Sequence, residues 1–440
     1  MTSSSLNVLL AAGAVCAWLG LVFKTLRQTR SASRRPEAGT GRIMVAYASQ
    51  TGTAKEIAER SVDALGRERA TLLPMSQLTP RQLLDYRRVL FVVSTYGEGD
   101  PPDPAQAFYR QTSAADAPAL NHLETAVLAL GDSSYRHYCG FGLTLAGWLT
   151  RQGATLLFQT VLADKCDPAA LHSWSDALNQ QFQATSAIEK TYTDWRLARR
   201  RHMNPGSAGG ACHELSFEPA SGILPPWQAG DIAEVAIGQY GLRREYSIAS
   251  TPGEGMLKLL LRQRRDADGR LGIGSRWLTE ELKIGAIVRI HLRENALFHV
   301  PDQAVPAIFI GNGTGIAGLR SLLKRRLEQG HHENWLIFGE RQSAYDFHYQ
   351  DELETWLAER KLARLDLAFS RDQAPKRYVH HVLAEAQAAI REWAARGAVI
   401  YVCGSKNGMA SDVDDVLRKA LGGHGYAALG ERRGYRRDVY

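Results

Sequence analysis

The chain has 440 residues, 45% of them hydrophobic, and a formal net charge of +7. This length and composition are ordinary for a globular protein of two or three domains. Five cations between residues 24 and 35 supply most of the excess charge, so the composition gives nucleic-acid binding little support and no such partner is expected. The five cysteines contain no Cys-x-x-Cys pair, which favours reduced thiols, and no metal site is predicted.

Residues 6–23 form an apolar run of 18 residues without a charge. At about 1.5 Å per residue, a helix of this length just reaches across a hydrocarbon core of roughly 30 Å. Cations follow the run and none precedes it, which indicates an uncleaved anchor with its following flank in the cytoplasm. We therefore expect a single-pass protein of the inner or cell membrane with cytoplasmic catalytic domains. The alternative is a buried or docked hydrophobic helix.

Short β-rich runs alternate with helical stretches from residue 42 to residue 185. Such alternation predicts an α/β fold with a doubly wound parallel sheet, whose ligands bind at the carboxyl ends of the strands. A polar stretch at 186–210 predicts a linker. Strands with few helices at 211–304 predict a small antiparallel barrel, and the alternation of strand and helix returns at 305–440.

Three loops in the first domain follow predicted strands. The first joins a strand to a helix and groups hydroxyls with backbone N–H groups, which fits a phosphate monoester. The second and third carry glycines, which allow close approach, and a tyrosine each, which can stack on a flat ring. The loops contain Ser49, Gln50, Thr51, Gly52, Thr53 and Ala54; Thr95, Tyr96, Gly97, Glu98 and Gly99; and Leu130, Gly131, Asp132 and Tyr135.

With the three loops in this order, the segment resembles the flavodoxin-like domain of the diflavin reductase family, which binds FMN. The resemblance implies that Tyr96 and Tyr135 flank the flavin ring and that Asp164 contacts its rim. On the residues alone, each loop could be an ordinary turn or helix cap, and Tyr135 a surface tyrosine.

The segment Arg244-Glu245-Tyr246-Ser247 has strand character, which places Arg244 and Tyr246 on one face and Glu245 and Ser247 on the other. A guanidinium can grip a pyrophosphate while an aromatic side chain covers a ring. A second backbone anion site opens the next helix at Gly272, Ile273, Gly274 and Ser275. The two motifs together resemble the FAD-binding half of the ferredoxin-NADP reductase family. The structural alternatives are an exposed arginine and a helix cap.

A glycine-rich turn formed by Gly313, Thr314 and Gly315 follows a predicted strand and starts a helix, the setting of a dinucleotide pyrophosphate. The family usually has prolines at the positions of Asn312 and Gly318, and glutamine is common at that of His380. Charge-assisted hydrogen bonds to a 2′-phosphate would favour NADPH over NADH. The residues that resemble the family's 2′-phosphate and adenine site are Ser370, Arg371, Lys376 and Tyr378.

The resemblance also implies a hydride-transfer site. In the family a serine, a cysteine and an acid gather beside the nicotinamide while a terminal aromatic covers the FAD, and the matching residues are Ser247, Cys403, Asp438 and Tyr440. Without the resemblance, such a cysteine and such an aromatic are usually packing residues. The ending Asp-Val-Tyr resembles the sulfite reductase flavoproteins in particular. The helical connecting domain of larger members is not expected, because few residues separate the linker from Arg244.

These motifs predict an enzyme that passes electrons from NADPH through FAD and FMN to a one-electron acceptor, expected to be a haem or iron protein. Two alternatives stay open: a ferric or quinone reductase with the same flavins, and a flavoprotein scaffold that no longer turns over. Residues 42–185 hold 12 Lys and Arg against 14 Asp and Glu, whereas residues 186–440 hold 36 against 31. An acidic FMN domain is therefore expected to meet a basic reductase unit. The oligomeric state is not predicted.

Overall fold

The computed structural model describes residues 42–113, 117–184, 190–266 and 268–440. The predicted anchor at residues 6–23 lies outside these ranges. No helix in the described part of the chain is long and apolar enough to cross a membrane, and this finding contradicts the predicted membrane localisation. The segment Ser411–Glu431 is interrupted at Gly422, whose φ of +69° is not helical, and it carries charged side chains along its length.

The first domain is a parallel sheet with helices on both faces. Its elements are β1 (Ile43–Ala48), α1 (Thr53–Leu65), β2 (Ala70–Pro74), β3 (Arg88–Ser94), α2 (Gln106–Thr112), β4 (Glu124–Gly131), α3 (Gly140–Arg151), β5 (Thr155–Leu156), β6 (Val161–Asp164) and α4 (Pro168–Phe182). The strand order is β2-β1-β3-β4-β5, with β6 also paired to β4. Alternate residues of β1 enter two separate cores: Val45 lies in the same cluster as Trp174 of α4, and Met44 lies in the same cluster as Phe108 of α2.

The second domain is an antiparallel barrel. Its elements are β7 (Thr193–His202), β8 (Cys212–Pro219), β9 (Ile232–Ile237), β10 (Leu242–Ser247), β11 (Leu257–Arg262), α5 (Ile273–Arg276) and β12 (Ile287–Arg293). The strand order is β10-β9-β12-β7-β8-β11, and a single bridge between Ile248 and Leu259 nearly closes the barrel. Loops and short helices join these strands within the described residues.

Strand β7 lies inside the segment that the sequence assigned to a linker. Trp195 and Leu197 are fully buried in the barrel core, whereas Arg196 and Arg199 are exposed. The arginine-rich outer face makes the stretch polar overall, so its composition hides the period-two pattern of a strand. The barrel therefore begins well before residue 211.

The third domain is again a parallel sheet with helices on both faces. Its elements are β13 (Ala307–Asn312), α6 (Ile316–Glu328), β14 (Asn334–Glu340), α7 (Ser343–Asp346), α8 (Gln350–Ala358), β15 (Arg364–Phe369), α9 (Val379–Glu385), α10 (Gln387–Ala395), β16 (Val399–Gly404), α11 (Ser411–Glu431) and β17 (Tyr435–Val439). The strand order is β15-β14-β13-β16-β17. One hydrophobic cluster joins barrel residues Ala249 and Phe298 to Phe309 and Tyr401 of this sheet.

Candidate functional site

The first predicted loop turns from β1 into α1. Ser49 and Gln50 are buried, and the Oγ atom of Ser49 accepts a hydrogen bond from the N–H of Ala54 at 3.0 Å. Gly52 has a φ of +90°, a left-handed conformation that suits glycine. The turn leads into the N-terminus of α1 at Thr53, where the helix dipole favours an anion.

The second and third loops lie at the carboxyl ends of β3 and β4, beside the first. At the end of β6, Asp164 accepts hydrogen bonds from the N–H and the Oγ of Ser133, at 2.9 and 2.5 Å. These hydrogen bonds hold the pKa of Asp164 below its usual value. Asp164 therefore shapes the loop that carries Tyr135, and its contact with a flavin rim stays a prediction.

A buried polar atom in the second loop indicates that these loops fit a bound flavin. The Oγ1 atom of Thr95 is buried and has no hydrogen-bond partner among the described residues. Buried hydroxyls are normally satisfied, so this atom is suited to a ligand at the strand ends. Burial also raises the pKa of Tyr96, which keeps the phenol neutral and able to stack on a ring.

The predicted FAD motifs meet at one end of the barrel. The side chain of Arg244 lies against Gly274, where a Cβ atom would come within 3.0 Å of the arginine Cγ. The Oγ atom of Ser275 donates to the carbonyl of Gly272 at 3.0 Å and so closes the turn that starts α5. An arginine beside a glycine-rich helix start is a suitable cradle for a pyrophosphate.

Arg293 is a residue of this region that sequence reasoning missed. It is 2% exposed and forms two hydrogen bonds with the carboxylate of Glu245, on the opposite face of β10 from Arg244. Its Nε atom also donates to the carbonyl of Thr51, in the first loop, at 3.1 Å. No local sequence pattern marks this residue, because its partner Glu245 lies 48 residues away along the chain.

Three residues predicted for hydride transfer form one buried cluster. The hydroxyl of Ser247 donates to Oδ2 of Asp438 at 2.6 Å, and the thiol of Cys403 lies 3.8 Å from the same oxygen. Ser247 ends β10 of the barrel, whereas Cys403 and Asp438 are paired neighbours on β16 and β17. The cluster therefore lies between the second and third domains.

Burial sets the protonation of this cluster. It raises the pKa of Asp438, and the hydrogen bond from Ser247 opposes that rise. Burial, followed by the neighbouring Asp438, raises the pKa of Cys403 well above its usual value, so the thiol keeps its proton. A protonated thiol and a serine hydroxyl therefore both face one carboxylate, and the cysteine is not poised as a nucleophile.

Tyr440 lies beside the glycine-rich turn of the third domain. Its hydroxyl is 3.1 Å from Oγ1 of Thr314, and its N–H donates to the carbonyl of Gly404 at 3.1 Å. A Cβ atom on Gly315 would lie 2.2 Å from the carbonyl of Cys403, so only glycine allows the turn to approach β16 this closely. Asn312 supports the same region, because its Oδ1 accepts from the N–H of Ser405 at 3.0 Å.

A cavity of about 500 Å³ extends from this turn across the ends of β14 and β15. Its lining contains the predicted residues Gly313, Ser370, Arg371 and Tyr378. The exposed Lys376 does not line it. The lining residues that sequence reasoning missed include two cations, Arg262 and Arg341, and two acids, Glu340 and Asp412.

His380 belongs to a hydrogen-bonded chain in that cavity. The N–H of Tyr378 donates to Nδ1 of His381, the two histidine Nε2 atoms are 3.1 Å apart, and His380 Nδ1 lies 3.1 Å from Asp412. All three hydrogen bonds can form when both rings are neutral, with His381 donating to His380 and His380 donating to Asp412. Burial and His381 lower the pKa of His380, which favours that neutral arrangement.

Glu340, Asp346 and His348 are close enough to share a metal ion within the described residues. However, Arg262 pairs with Glu340 and lies 4.0 Å from Asp346, so a guanidinium already supplies the positive charge. Burial, followed by the charge of Arg262, lowers the pKa of His348 to about 4. We interpret the group as a buried ion-pair cluster.

Comparisons with known proteins agree with this architecture. Residues 45–174 match the flavodoxin family, and residues 309–415 match the oxidoreductase NAD-binding domain family. The sulfite reductase [NADPH] flavoprotein alpha-component of Thiocapsa roseopersicina is 33% identical over 86% of this chain and 83% of that protein. The protein of the same name from Vibrio cholerae is 28% identical over 96% of this chain and 93% of that protein.

A flavodoxin-like domain followed by a barrel and an NAD-binding domain defines a diflavin reductase. More particularly, the chain belongs to the sulfite reductase flavoprotein alpha-component family. This membership confirms the prediction of a flavoprotein oxidoreductase that uses FMN, FAD and NADPH. The Vibrio cholerae alignment spans 570 positions, more than the 440 residues of this chain, so that relative contains residues without a counterpart here.

Proposed function

We propose that the chain carries electrons from NADPH through FAD to FMN and then to a one-electron acceptor, a haem or iron protein. The observation that supports this most directly is the buried cluster of Ser247, Cys403 and Asp438, with Tyr440 beside it. The chain also contains the three flavodoxin-type loops at the carboxyl ends of strands in the first domain. The relatives are named as the flavoprotein of an NADPH-dependent sulfite reductase, which agrees with a nicotinamide donor.

The proposal assigns each cofactor to residues that fit it. The first loop and Thr95 would hold FMN, Arg244 with Gly274 would hold the FAD pyrophosphate, and Arg371 would face the 2′-phosphate of NADPH. When bound, FAD would accept a hydride from NADPH and FMN would release electrons one at a time, which is the redox chemistry that flavins supply.

The side chains at the hydride site orient and protect the reacting groups. Asp438 is 4% exposed, and its carboxylate fixes the direction of the Ser247 hydroxyl by accepting its proton in a hydrogen bond. Burial of Ser247 and Cys403 excludes water from the same place. Tyr440 is 47% exposed and follows the short strand β17, so it can move aside without disturbing a core element.

The test is anaerobic mixing with NADPH of protein that has been shown to contain equal amounts of FMN and FAD. Bleaching of both flavins is expected, and Asp438→Asn should slow it about 100-fold, because a neutral amide holds the Ser247 hydroxyl less firmly than a carboxylate does. Asp415→Asn, an exposed change in the same domain, serves as the control. The difference in bleaching rate between Asp438→Asn and the unsubstituted protein should become smaller as pH falls toward the raised pKa of Asp438, because the native carboxyl is then neutral too.

A single flavin species, or no bleaching by NADPH, would overturn the relay. The second outcome would instead favour the scaffold that no longer turns over. If both flavins bleach, cytochrome c, a ferric chelate and a quinone offered as acceptors would separate a protein acceptor from the ferric or quinone reductase alternative.

A further inference from the structure

The residue next to the hydride-site acid contacts the FMN-binding loops. Arg437 precedes Asp438 on β17, and successive side chains of a strand point to opposite sides. Asp438 faces Ser247 and Cys403, whereas Arg437 faces the first domain. One strand therefore presents a side chain to each of the two flavin regions.

Two contacts join Arg437 to the loop that follows β3. Its Nη2 atom donates to Oδ1 of Asp103 at 2.9 Å. Its guanidinium carbon lies 4.9 Å from the ring centre of Tyr96, within range of a cation–π interaction. Only 18% of the arginine side chain is exposed, so both contacts are partly shielded from water.

Asp103 extends this contact to the phosphate loop. Its Oδ2 accepts from Nε2 of Gln50 at 3.0 Å, and its N–H donates to Oε1 of the same glutamine at 3.0 Å. Arg437 thus holds one carboxylate that is itself bound to the first loop, and it covers the aromatic ring of the second loop. The two loops proposed to bind FMN are linked through a single side chain of the third domain.

We propose that Arg437 is the positioning residue that seats the FMN domain on the reductase unit for electron transfer between the two flavins. This inference rests on the proposed function, because it assumes that the loops hold FMN and that electrons reach it from the FAD side. The electrons leave the hydride site beside Asp438 and arrive at loops fixed by the neighbouring residue. Arg437 itself is not proposed to touch a reacting atom.

The variant Arg437→Gln removes the charge and the cation–π contact while keeping a polar side chain of moderate length. We expect the ratio of docked to released molecules to fall roughly tenfold, because an ion pair and a cation–π contact are lost together. Arg437→Lys keeps the charge but loses the planar fork, so it should recover only part of that loss. Arg436→Gln is the matched control, because the neighbouring arginine bonds to the carbonyl of His299 within the reductase unit.

Two readouts separate docking from folding and from hydride transfer. Amide hydrogen exchange of residues 94–103 should rise in Arg437→Gln and stay unchanged in Arg436→Gln. In anaerobic mixing with NADPH, the first half of the loss in flavin absorbance should keep its rate, whereas the second half should slow. Flavin content measured by chromatography should remain equal for FMN and FAD.

The outcomes are distinct. Unchanged exchange and an unchanged second phase in Arg437→Gln would overturn the positioning role and leave the relay intact. Equal increases in amide exchange and equal slowing of the second phase in Arg436→Gln and Arg437→Gln would also overturn it. A general disturbance of strand β17 would then explain the effect. Absence of any bleaching in the unsubstituted protein would instead remove the proposed function on which the inference rests.

Discussion

The molecule has two interfaces between domains, which differ in composition. The inner joint, between the barrel and the third domain, is apolar, whereas the joint with the first domain is polar. The barrel and the third domain share one hydrophobic cluster, in which Phe298 packs edge-on against Tyr401 with ring centres 5.6 Å apart. The first domain keeps its two apolar clusters to itself, as far as the described residues extend. An interface that continues a core behaves as permanent, whereas a polar interface can separate and re-form.

Charged residues also serve the two joints differently. At the inner joint, Arg320 of α6 is 4% exposed and bonds to Glu254, Glu352 and the carbonyl of Ala249. At the joint with the first domain, two pairs are more open, Lys55 with Glu294 and Asp103 with Arg437, whereas the pair of His291 with Glu56 is largely buried. The difference indicates that the reductase unit keeps its hydride site rigid, while part of the contact with the FMN domain is exposed enough for salt to weaken it.

The largest effect is expected from Phe298→Ala, which tests the apolar joint between the barrel and the third domain. Phe298 is fully buried in the shared cluster, and loss of a buried aromatic ring costs about 3–5 kcal/mol. We expect the barrel and the third domain to unfold together at a lower temperature, with the first domain unaffected. Phe108→Ala, in a core of the first domain alone, is the matched control and should lower only the transition of that domain. Differential scanning calorimetry measures both.

A single transition that moved equally in both variants would contradict the comparison. It would mean that the polar joint couples the FMN domain to the reductase unit as firmly as the apolar core does.

A smaller effect is expected from Glu254→Gln. Burial alone would raise the pKa of Glu254, but hydrogen bonds and charge from Arg320 and Lys258 lower it to about 2. A carboxyl whose pKa is depressed on folding stabilises the fold above its unfolded pKa of about 4.5, and that stability is lost as pH falls toward 2. At neutral pH the variant should therefore lose at most about 3 kcal/mol of unfolding free energy.

The pH dependence gives this prediction its check. Urea unfolding at a series of pH values should show a constant penalty down to about pH 4.5 and a shrinking penalty below it. A penalty that is independent of pH would assign the loss to packing and not to the charge of Glu254. Glu359→Gln, an exposed change on the same unit, should have little effect throughout.

The order of the domains could be predicted from the sequence because the signals are local. Strand and helix alternate in the first and third domains, and strands β8 to β12 lie within residues 211–304, where a small antiparallel barrel is predicted. Strand β7 could not be predicted from composition, because arginines on its outer face outweigh Trp195 and Leu197 on its inner face.

The residues of the candidate site fall into two similar groups, those with a local sequence pattern and those without one. Residues that follow a strand or start a helix, such as Ser49 and Gly274, carry a local pattern that can be read. Arg293 and Arg437 carry none, because their partners Glu245 and Asp103 lie 48 and 334 residues away in the chain. The pairing of cations with distant carboxylates depends on how domains pack, which a single sequence does not display.

The smallest expected effect comes from Lys55→Gln at the polar joint. Lys55 of α1 pairs with Glu294 just after β12, and about half of the glutamate side chain is exposed. Exposed ion pairs contribute about 0.2–1 kcal/mol, so docking should weaken at most about fivefold. Raising the salt concentration from about 0.05 to 0.5 M should erase the difference between variant and parent, because screening removes the pair in both. Arg67→Gln breaks a more exposed pair with Asp63 within the first domain and should leave docking unchanged. Small-angle scattering measures the fraction of extended molecules, and an increase in Arg67→Gln equal to that in Lys55→Gln would show that the joint does not depend on this pair.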